Sequence, residues 1–179
     1  MQIEAETLGL EPVFVPQGKG ALLSLREAVF DGTDAGVAVS FGYRLPAAVV
    51  AACRAGMINV HPSLLPRLRG AAPVVRTMMG SDEPRPLACL ARAATASGVS
   101  IITVEDAMDS GAVLSQEAFP PLADDDAQSL TDVLAPRGAE LVVQCLAALQ
   151  RDERLARGGS SSRCRPAPAP PRPRQGRYG

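Results

Sequence analysis

Apolar residues recur along the chain with the two-residue period of strands in some segments and with helical spacing in others. A nearly continuous apolar run over residues 35–43 predicts a strand that is buried on both faces. Residues 98–104 are rich in β-branched side chains, and residues 112–119 predict a further strand. Ile58 and Val60 alternate with polar neighbours, which is typical of a strand with one apolar face. These segments together predict a β-sheet.

Helices and turns separate the predicted strands. Helical spacing and stop signals predict helices that end near Gly9 and that cover residues 21–30, 47–55, 73–80 and about 129–149. Residues 12–16 lie between two prolines and predict another short strand. The last helix opens at Ser129-Leu130-Thr131-Asp132, which approximates a capping box, and Pro136 must kink or split it. The mixture of helices and strands predicts an α/β fold.

Length and composition indicate one domain followed by a tail. The chain has 179 residues, of which 46% are hydrophobic, which is enough for one core but not for two full domains. Aromatic residues make up only 3% and tryptophan is absent, so the core must be aliphatic. Residues 151–179 lose all periodicity and are dominated by Pro, Ser, Gly and Arg. We therefore expect a folded domain over residues 1–150 and a disordered tail over residues 151–179.

The formal net charge of −1 hides two regions of opposite sign. Residues 151–179 carry eight arginines against two acidic residues, a charge of +6, which leaves 10 basic against 17 acidic residues, or −7, in residues 1–150. An acidic body is a poor general surface for nucleic acids. Any contact with RNA would need a local basic site, for which Arg67, Arg69 and Arg76 are the candidates.

The metal-binding residue types are scattered. The four cysteines are Cys53, Cys89, Cys145 and Cys164. They lack the spacing of zinc ligands, and one histidine cannot complete a site with them, so we expect no metal and ordinary thiols in a reducing compartment. No apolar run approaches the roughly 20 residues of a membrane span, and no signal-peptide pattern is present. We therefore expect a soluble chain.

Residues 57–70, with the sequence MINVHPSLLPRLRG, carry the candidate chemistry. Because side chains alternate along a strand, Asn59 and His61 point to one face. Pro62 ends the strand, so both polar groups lie at its carboxyl end, where open α/β sheets bind ligands. An amide can donate to an oxygen that gains negative charge and an imidazole can move a proton, so the pair suits acyl transfer. A turn asparagine and a hydrogen-bonded strand-end histidine are the alternative interpretation.

The stretch INVHPSLLPRLRGAAP resembles the signature of the folate-dependent formyltransferases, N-V/I-H-x-S-L-L-P-x-x-R-G-A-A-P, in the form found in the methionyl-tRNA formyltransferases. The match is long and nearly gapless, unlike a lone short motif. The resemblance implies a mostly parallel, Rossmann-like formyltransferase sheet in residues 1–150. It also implies transfer of a formyl group from 10-formyltetrahydrofolate to the amino group of methionyl-tRNA, in translation initiation.

The same resemblance implies roles for three side chains. Asn59 would hold the oxyanion, His61 would assist as an acid or an electrostatic stabiliser, and Asp109 would orient His61 and relay the proton. Asp109 rather than Asp106 is assigned because Met108-Asp109-Ser110-Gly111 resembles the family's L-D-T-G or L-D-A-G turn. An ordinary acidic turn is the alternative. No nucleophilic side chain is needed, because the amine attacks directly.

The resemblance also implies that two loops bind the formyl donor. Residues Tyr43, Arg44 and Leu45 resemble the family's loop along the pterin ring, whereas a plain strand-to-helix turn is the alternative. The second loop consists of Ser63, Leu64, Leu65 and Pro66. Beyond it, Arg67 and Arg69 would contact tRNA, or would simply be solvated.

The chain departs from the family pattern inside and at both ends. Residues 83–97 hold about a dozen residues more than the family has there, either as a surface loop with a short helix over residues 87–94 or as mis-spliced sequence. The family's first strand–helix–strand unit does not precede Met1, and its linker and basic C-terminal β-barrel do not follow residue 150. We therefore expect a chain truncated at both ends.

Two alternatives to formylation of methionyl-tRNA stay open at this point. The same chemistry could act on glycinamide ribonucleotide or an amino sugar, although R-G-A-A-P after the S-L-L-P loop favours the tRNA. A catalytically inactive fragment is favoured by the missing segments and disfavoured by the intact set of Asn59, His61 and Asp109. We expect a monomer with methionyl-tRNA and folate as partners and no membrane association. The family implies the bacterial cytoplasm or the matrix of mitochondria or plastids.

Overall fold

The structure is a computed structural model, and it describes residues 7–15, 21–24, 26–79, 97–119, 121 and 124–151. Three predictions concern segments that lie wholly or mostly outside these described residues. They are the helix that ends near Gly9, the insert over residues 83–97 and the disordered tail over residues 151–179.

Four strands form one sheet. They are β1 (Gly36–Val39), β2 (Met57–His61), β3 (Gly98–Thr103) and β4 (Val113–Ala118), in the spatial order β1-β2-β3-β4. β1 pairs with β2 in parallel, whereas β2 with β3 and β3 with β4 are antiparallel. The α/β prediction is confirmed, but the described sheet is mixed rather than mostly parallel. The connection over residues 104–112 is shorter than the roughly dozen residues that a parallel crossover needs, so β3 and β4 must run in opposite directions.

Four α-helices and one π-helical turn accompany the described strands. They are α1 (Ala21–Ser24), the π-helical turn (Arg26–Phe30), α2 (Ala47–Val50), α3 (Pro73–Met79) and α4 (Ala127–Arg151). The strand predicted over residues 12–16 is wrong for its described part, because residues 12–15 pair with no described strand. β1 is shorter than the predicted 35–43, since Ser40 has φ 49° and turns the chain out of the sheet. In the described part of the chain, no helix is long and apolar enough to cross a membrane.

The last helix, α4, corrects two predictions. It is continuous through Pro136, so the proline does not split the helix, because apolar residues on both sides of the proline are buried and offset the roughly 3 kcal/mol that an interior proline costs. Its cap is Asp126, three residues before the predicted Ser129. Asp126 Oδ1 accepts a hydrogen bond from the Ser129 N–H at 2.8 Å, and Ser129 Oγ accepts one from the Asp126 N–H at 3.0 Å. This reciprocal pair is a capping box built one turn earlier.

Helix α4 covers one face of the sheet. The residues buried between them are Ile58, Val99, Ile101, Leu141 and Cys145. The helix approaches closely at Gly138, where a Cβ would lie only 2.9 Å from Val60 Cγ1. On the opposite face, Met57 at the start of β2 packs against Val49 and Cys53. The carboxyl end of β2 on that second face is lined by polar side chains and forms the site.

Candidate active site

Strand β2 places Asn59 and His61 on the face away from α4. Ile58 belongs to the core under α4, and Asn59 and His61 lie opposite Ile102 and Ser100 of β3. Asn59 is half-buried, whereas His61 is only 4% exposed. The alternation read from the sequence therefore puts the amide and the imidazole side by side at the end of the strand.

The turn after β3 brings Asp109 over these two side chains. Asn59 Nδ2 donates a hydrogen bond to Asp109 Oδ1 at 3.3 Å, and His61 Nδ1 lies 3.5 Å from Asp109 Oδ2. The side chains of His61 and Asp109 are 5% and 11% exposed. The structure thus brings together the three residues that the family resemblance picks out.

Local sequence explains the shape of this turn. Asp109 has φ 50°, a left-handed conformation that aspartate tolerates better than most residues. Ser110 Oγ donates to the Ala107 carbonyl at 2.8 Å, and Thr103 Oγ1 accepts from the Ala112 N–H at 2.9 Å. Gly111 is required by close approach, since a Cβ there would lie 1.8 Å from the Thr103 carbonyl oxygen. The D-S-G sequence therefore suits a tight turn that aims the carboxylate inward.

Main-chain groups of the loop after β2 complete the constellation. His61 Nε2 lies 3.0 Å from the Leu68 carbonyl oxygen, and the Gly70 N–H donates to Asp109 Oδ2 at 2.8 Å. Sequence reasoning missed both contacts, because they come from the backbone. The glycine in R-G-A-A-P was the one available signal, and Gly70 does adopt a positive φ of 94°.

A cleft of about 460 Å³ opens beside the three side chains. Its lining comes from residues 38, 40–45, 59–62, 70–73 and 102–109. Tyr43, Arg44 and Leu45 therefore face the same cleft as the proposed catalytic residues. The rings of Phe41 and Tyr43 lie 5.7 Å apart at 55°, and Arg44 Nη2 lies 3.8 Å from Asp106 Oδ1 at the exposed rim.

The four residues Ser63–Pro66 do not line this cleft. Ser63 and Leu65 are buried, and their backbone carbonyls accept hydrogen bonds from Ser100 Oγ at 2.6 Å and Gln116 Nε2 at 3.0 Å. Ser100 Oγ also accepts from the Leu65 N–H at 3.1 Å. This segment is therefore fastened to β3 and β4 and supports the loop that follows.

Arg67 and Arg69 are both exposed and lie on that loop. Arg76 Nη1 donates to the Arg69 carbonyl at 2.8 Å. Arg69 precedes Gly70, which lines the cleft, but neither Arg67 nor Arg69 is itself among the lining residues.

A buried ion pair lies on the other side of the sheet. Arg137 Nη2 of α4 donates to both carboxylate oxygens of Glu117 on β4, each at 2.7 Å, and Arg137 also pairs with Glu140. The hydrogen bond to Glu117 raises the pKa of Arg137 above its ordinary value, although burial acts in the opposite direction. Sequence reasoning missed this pair. An arginine at helical spacing between Leu134 and Leu141 was its signal.

The sequence model of the Formyl transferase family matches residues 26–146. The chain belongs to the formyl transferase family. It is 38% identical to the methionyl-tRNA formyltransferase of Nitrobacter winogradskyi over 150 residues, which cover 84% of this chain and 44% of that protein. It is 41% identical to the one of Gluconobacter oxydans over 114 residues, which cover 64% and 34%. This formyl transferase chain thus spans less than half the length of these curated relatives.

Solved formyl transferases share the fold. Glycinamide ribonucleotide transformylase 1 from Symbiobacterium toebii superposes with a TM-score of 0.67 at 18% identity and covers 91% of this chain and 72% of its own. The formyltransferase PseJ from Anoxybacillus kamchatkensis, in complex with a formamido sugar nucleotide and tetrahydrofolate, gives 0.60 at 16% identity and covers 84% and 70%. At these identities the likeness establishes the formyl transferase fold.

Proposed function

We propose that this chain carries the active site for transfer of a formyl group from 10-formyltetrahydrofolate to the amino group of methionyl-tRNA. The observation that carries the proposal is the convergence of Asn59, His61 and Asp109 on one cleft at the carboxyl end of β2. Residues 1–150 would form the catalytic domain and residues 151–179 a tail.

The reaction makes one C–N bond and breaks another. The acceptor amine attacks the formyl carbon, the bond from that carbon to the donor nitrogen breaks, and the proton lost by the amine ends on the leaving nitrogen. During the attack the formyl oxygen gains negative charge. The Asn59 amide carries two hydrogens, and only one is directed at Asp109, so the second can donate to that oxygen.

His61 and Asp109 would handle the charge and the proton. The imidazole beside the cleft would assist as an acid or as an electrostatic stabiliser of the developing oxyanion, with its transferable proton on the side of Asp109. Asp109 contacts both His61 and Asn59, so it fixes their relative orientation. It would also relay the proton to the leaving nitrogen through water. Both side chains are almost fully buried, which strengthens these electrostatic effects.

The cleft fits a folate-derived donor. Its volume of about 460 Å³ is typical of small-molecule sites, which span roughly 300–1,000 Å³. Tyr43, Arg44 and Leu45 would hold the flat pterin ring of the donor. Their loop forms one wall of the cleft and carries the aromatic rings of Phe41 and Tyr43. Ser63 and Leu65 would support the neighbouring loop, since their side chains are buried. The bound donor supplies the formyl carbon.

The acceptor is assigned from the relatives and from charge. Relatives at 38% and 41% identity are named methionyl-tRNA formyltransferases, whereas the glycinamide ribonucleotide and sugar enzymes share only the fold. Arg67 and Arg69 would contact the tRNA. We place the chain in the bacterial cytoplasm because these relatives are bacterial, and we expect it to act as a monomer.

An assay with paired aspartate variants tests the assignment. Formylation of methionyl-tRNA, glycinamide ribonucleotide and an amino sugar nucleotide is measured for wild type, Asp109→Asn and Asp106→Asn. Asp109→Asn should lower kcat by roughly 10²–10⁴-fold, as expected for lost acid–base assistance. Asp106→Asn should cost less than about fivefold, because its exposed pair with Arg44 is worth about 0–1 kcal/mol.

The outcomes separate the alternatives. Equal losses in the two variants would remove Asp109 from the catalytic role. Transfer to the ribonucleotide or the sugar, but not to methionyl-tRNA, would replace the acceptor. A wild-type chain that folds but formylates none of the three would identify an inactive fragment.

A further inference from the structure

We infer that the main chain of Leu68 and Gly70 positions the catalytic pair, with the Leu68 carbonyl holding a proton on His61 Nε2 and the Gly70 N–H turning Asp109 toward His61 Nδ1. The inference deepens the proposed function and rests on it for any effect on rate. The proton placement itself follows from geometry alone.

The Leu68 carbonyl decides which ring nitrogen carries a proton. Its oxygen lies 3.0 Å from His61 Nε2 and has lone pairs only, so Nε2 must be the donor. A 180° flip of the imidazole ring would place carbon atoms next to this oxygen and next to the Asp109 carboxylate. Both polar contacts of the ring would then be lost. The observed ring orientation is therefore the favoured one, and Nε2 keeps its hydrogen whether His61 is neutral or charged.

The exchangeable position is then Nδ1. This nitrogen lies 3.5 Å from Asp109 Oδ2, which is longer than the 3.0 Å contact at Nε2, so the single hydrogen of the neutral ring stays on Nε2 and Nδ1 is bare. In the charged ring Nδ1 carries the second hydrogen, on the side of the Asp109 carboxylate. The proton that His61 can give or take is thus the one on Nδ1, and Nε2 has no part in the transfer.

Gly70 fixes the carboxylate in this geometry. Asp109 Oδ1 accepts from Asn59 at 3.3 Å and Oδ2 accepts from the Gly70 N–H at 2.8 Å. Two donors on different oxygens set the plane of the carboxylate. A second lone pair of Oδ2 is left for Nδ1.

The loop that supplies both contacts is held in an uncommon conformation. Leu68 has φ 56°, a left-handed conformation that bulky residues rarely adopt, and its side chain is buried. The carbonyls on either side of it are also tied down, Arg67 O by Ser63 Oγ at 2.9 Å and Arg69 O by Arg76 Nη1 at 2.8 Å. The carbonyls of Arg67, Leu68 and Arg69 thus each contact a side chain, and the Leu68 carbonyl contacts His61. Such an over-determined conformation is typical of functional sites.

The test uses the fact that His61 is the only histidine of the chain. Long-range ¹H–¹⁵N NMR of the uniformly ¹⁵N-labelled protein, without substrate, gives both imidazole nitrogen shifts at pH values on either side of the histidine ionisation. We expect Nε2 to keep the shift of a protonated nitrogen throughout, and Nδ1 to move to the shift of a wholly bare nitrogen. Averaged shifts, as from two exchanging tautomers, or a bare Nε2 would overturn the inference.

A matched pair of glycine variants tests the Gly70 contact. Gly70→Ala and Gly32→Ala both place a Cβ on a residue with positive φ, 94° and 78°, and neither Cβ would meet an atom closer than 3.9 Å. Gly70→Ala should shift the Nδ1 resonance and lower the formylation rate by up to about 10²-fold, the cost of a misplaced catalytic group. Gly32→Ala should change neither. An unchanged Nδ1 resonance in folded Gly70→Ala would refute the positioning role.

The wild-type spectrum decides the tautomer even if Gly70→Ala does not fold. It also separates the two proposals. A chain without transferase activity that nevertheless shows a fixed Nε2 proton would sink the proposed function and support the positioning of His61.

Discussion

The two faces of strand β2 are held in different ways. On one face, Ile58 packs with Leu141 and Cys145, and Gly138 lets α4 come close. On the other, Asn59 and His61 meet a carboxylate and main-chain atoms. Burial of apolar area on the first face needs no fixed geometry, whereas hydrogen bonds on the second need their partners at fixed distances. The first face should therefore set stability, and the second should set function.

The partners on the cleft face come mostly from loops that β3 and β4 support. Ser100 and Gln116 hold the backbone at Ser63 and Leu65, and the same loop then supplies the Leu68 carbonyl. On the α4 face, the pair of Arg137 and Glu117 is a buried polar exception. Substitutions on each side test whether stability and function separate in this way.

The largest effect should come from His61→Ala. Because no other histidine can take its place, kcat for formylation should fall by roughly 10²–10⁴-fold. Folate binding should change little, since the side chain acts mainly on the transition state. The measurement is single-turnover transfer to methionyl-tRNA, compared at equal folded fraction, with folate affinity from calorimetry. Full activity in this variant would show that the cleft face does not set function through His61.

The next effect belongs to the α4 face. Arg137→Met leaves Glu117 without its cation and should lower the free energy of unfolding by about 3–5 kcal/mol, as for broken buried ion pairs. The double variant Arg137→Met with Glu117→Gln should recover much of that loss. Urea denaturation followed by circular dichroism measures both. A loss below about 1 kcal/mol in the single variant would show that the pair is not a stability element.

The pKa shift of Arg137 fixes the sign of its pH dependence. Its pKa is raised in the folded state, chiefly by the hydrogen bond to Glu117. Its contribution is therefore complete at every pH below the unfolded value and is lost only as the pH rises through the folded value. Ionisation of Arg137 itself should produce no change in stability around neutral pH.

A smaller effect should follow from trimming the apolar packing. Leu141→Ala should cost about 2–5 kcal/mol, because Leu141 is 1% exposed and sits in the core under α4. Val143→Ala on the same helix is the control, since Val143 is 66% exposed and should stay within about 0.5 kcal/mol of wild type. The folded fraction of both variants should keep the wild-type kcat. A drop in kcat for folded Leu141→Ala would show that the two faces are coupled.

The same contrast explains what the sequence could predict. Strict alternation in β2 was enough to place Asn59 and His61 together, because the strand period leaves no other choice. Asp109 lies 50 residues beyond Asn59, and only the family resemblance singled it out. The Leu68 contact had no side-chain signature, and the glycine of R-G-A-A-P was the one signal for the Gly70 contact.

Other parts of the fold escaped prediction for reasons of tertiary context. Strand direction depends on where each connection crosses the sheet, and the described sheet is mixed. The conformation of Ser63–Pro66 depends on hydrogen bonds from Ser100 and Gln116, which the sequence does not reveal, and the role of this loop in binding the donor stays a prediction. Pro136 was expected to kink or split its helix, and packing against the sheet keeps that helix continuous.

The smallest effect should come from Arg69, the exposed residue that precedes the cleft-lining Gly70. Arg69→Ala should raise KM for methionyl-tRNA modestly and lower the slope of log KM against log salt by about one, the amount expected for one lost phosphate contact. Its kcat should be unchanged, because Arg69 touches none of the three catalytic side chains. Arg151→Ala is the control, since Arg151 is also exposed but lies at the end of α4.

The comparison of these two arginines isolates position from charge. Both substitutions remove one positive charge, so a general electrostatic attraction between chain and tRNA would lower the salt slope equally in both variants. A slope that falls only in Arg69→Ala would instead locate the tRNA beside the cleft, on the face of β2 that carries Asn59 and His61. If neither variant alters the slope, Arg69 is a solvated side chain and the acceptor binds elsewhere. The salt series, run with wild type and both variants at the same folate concentration, distinguishes these three results.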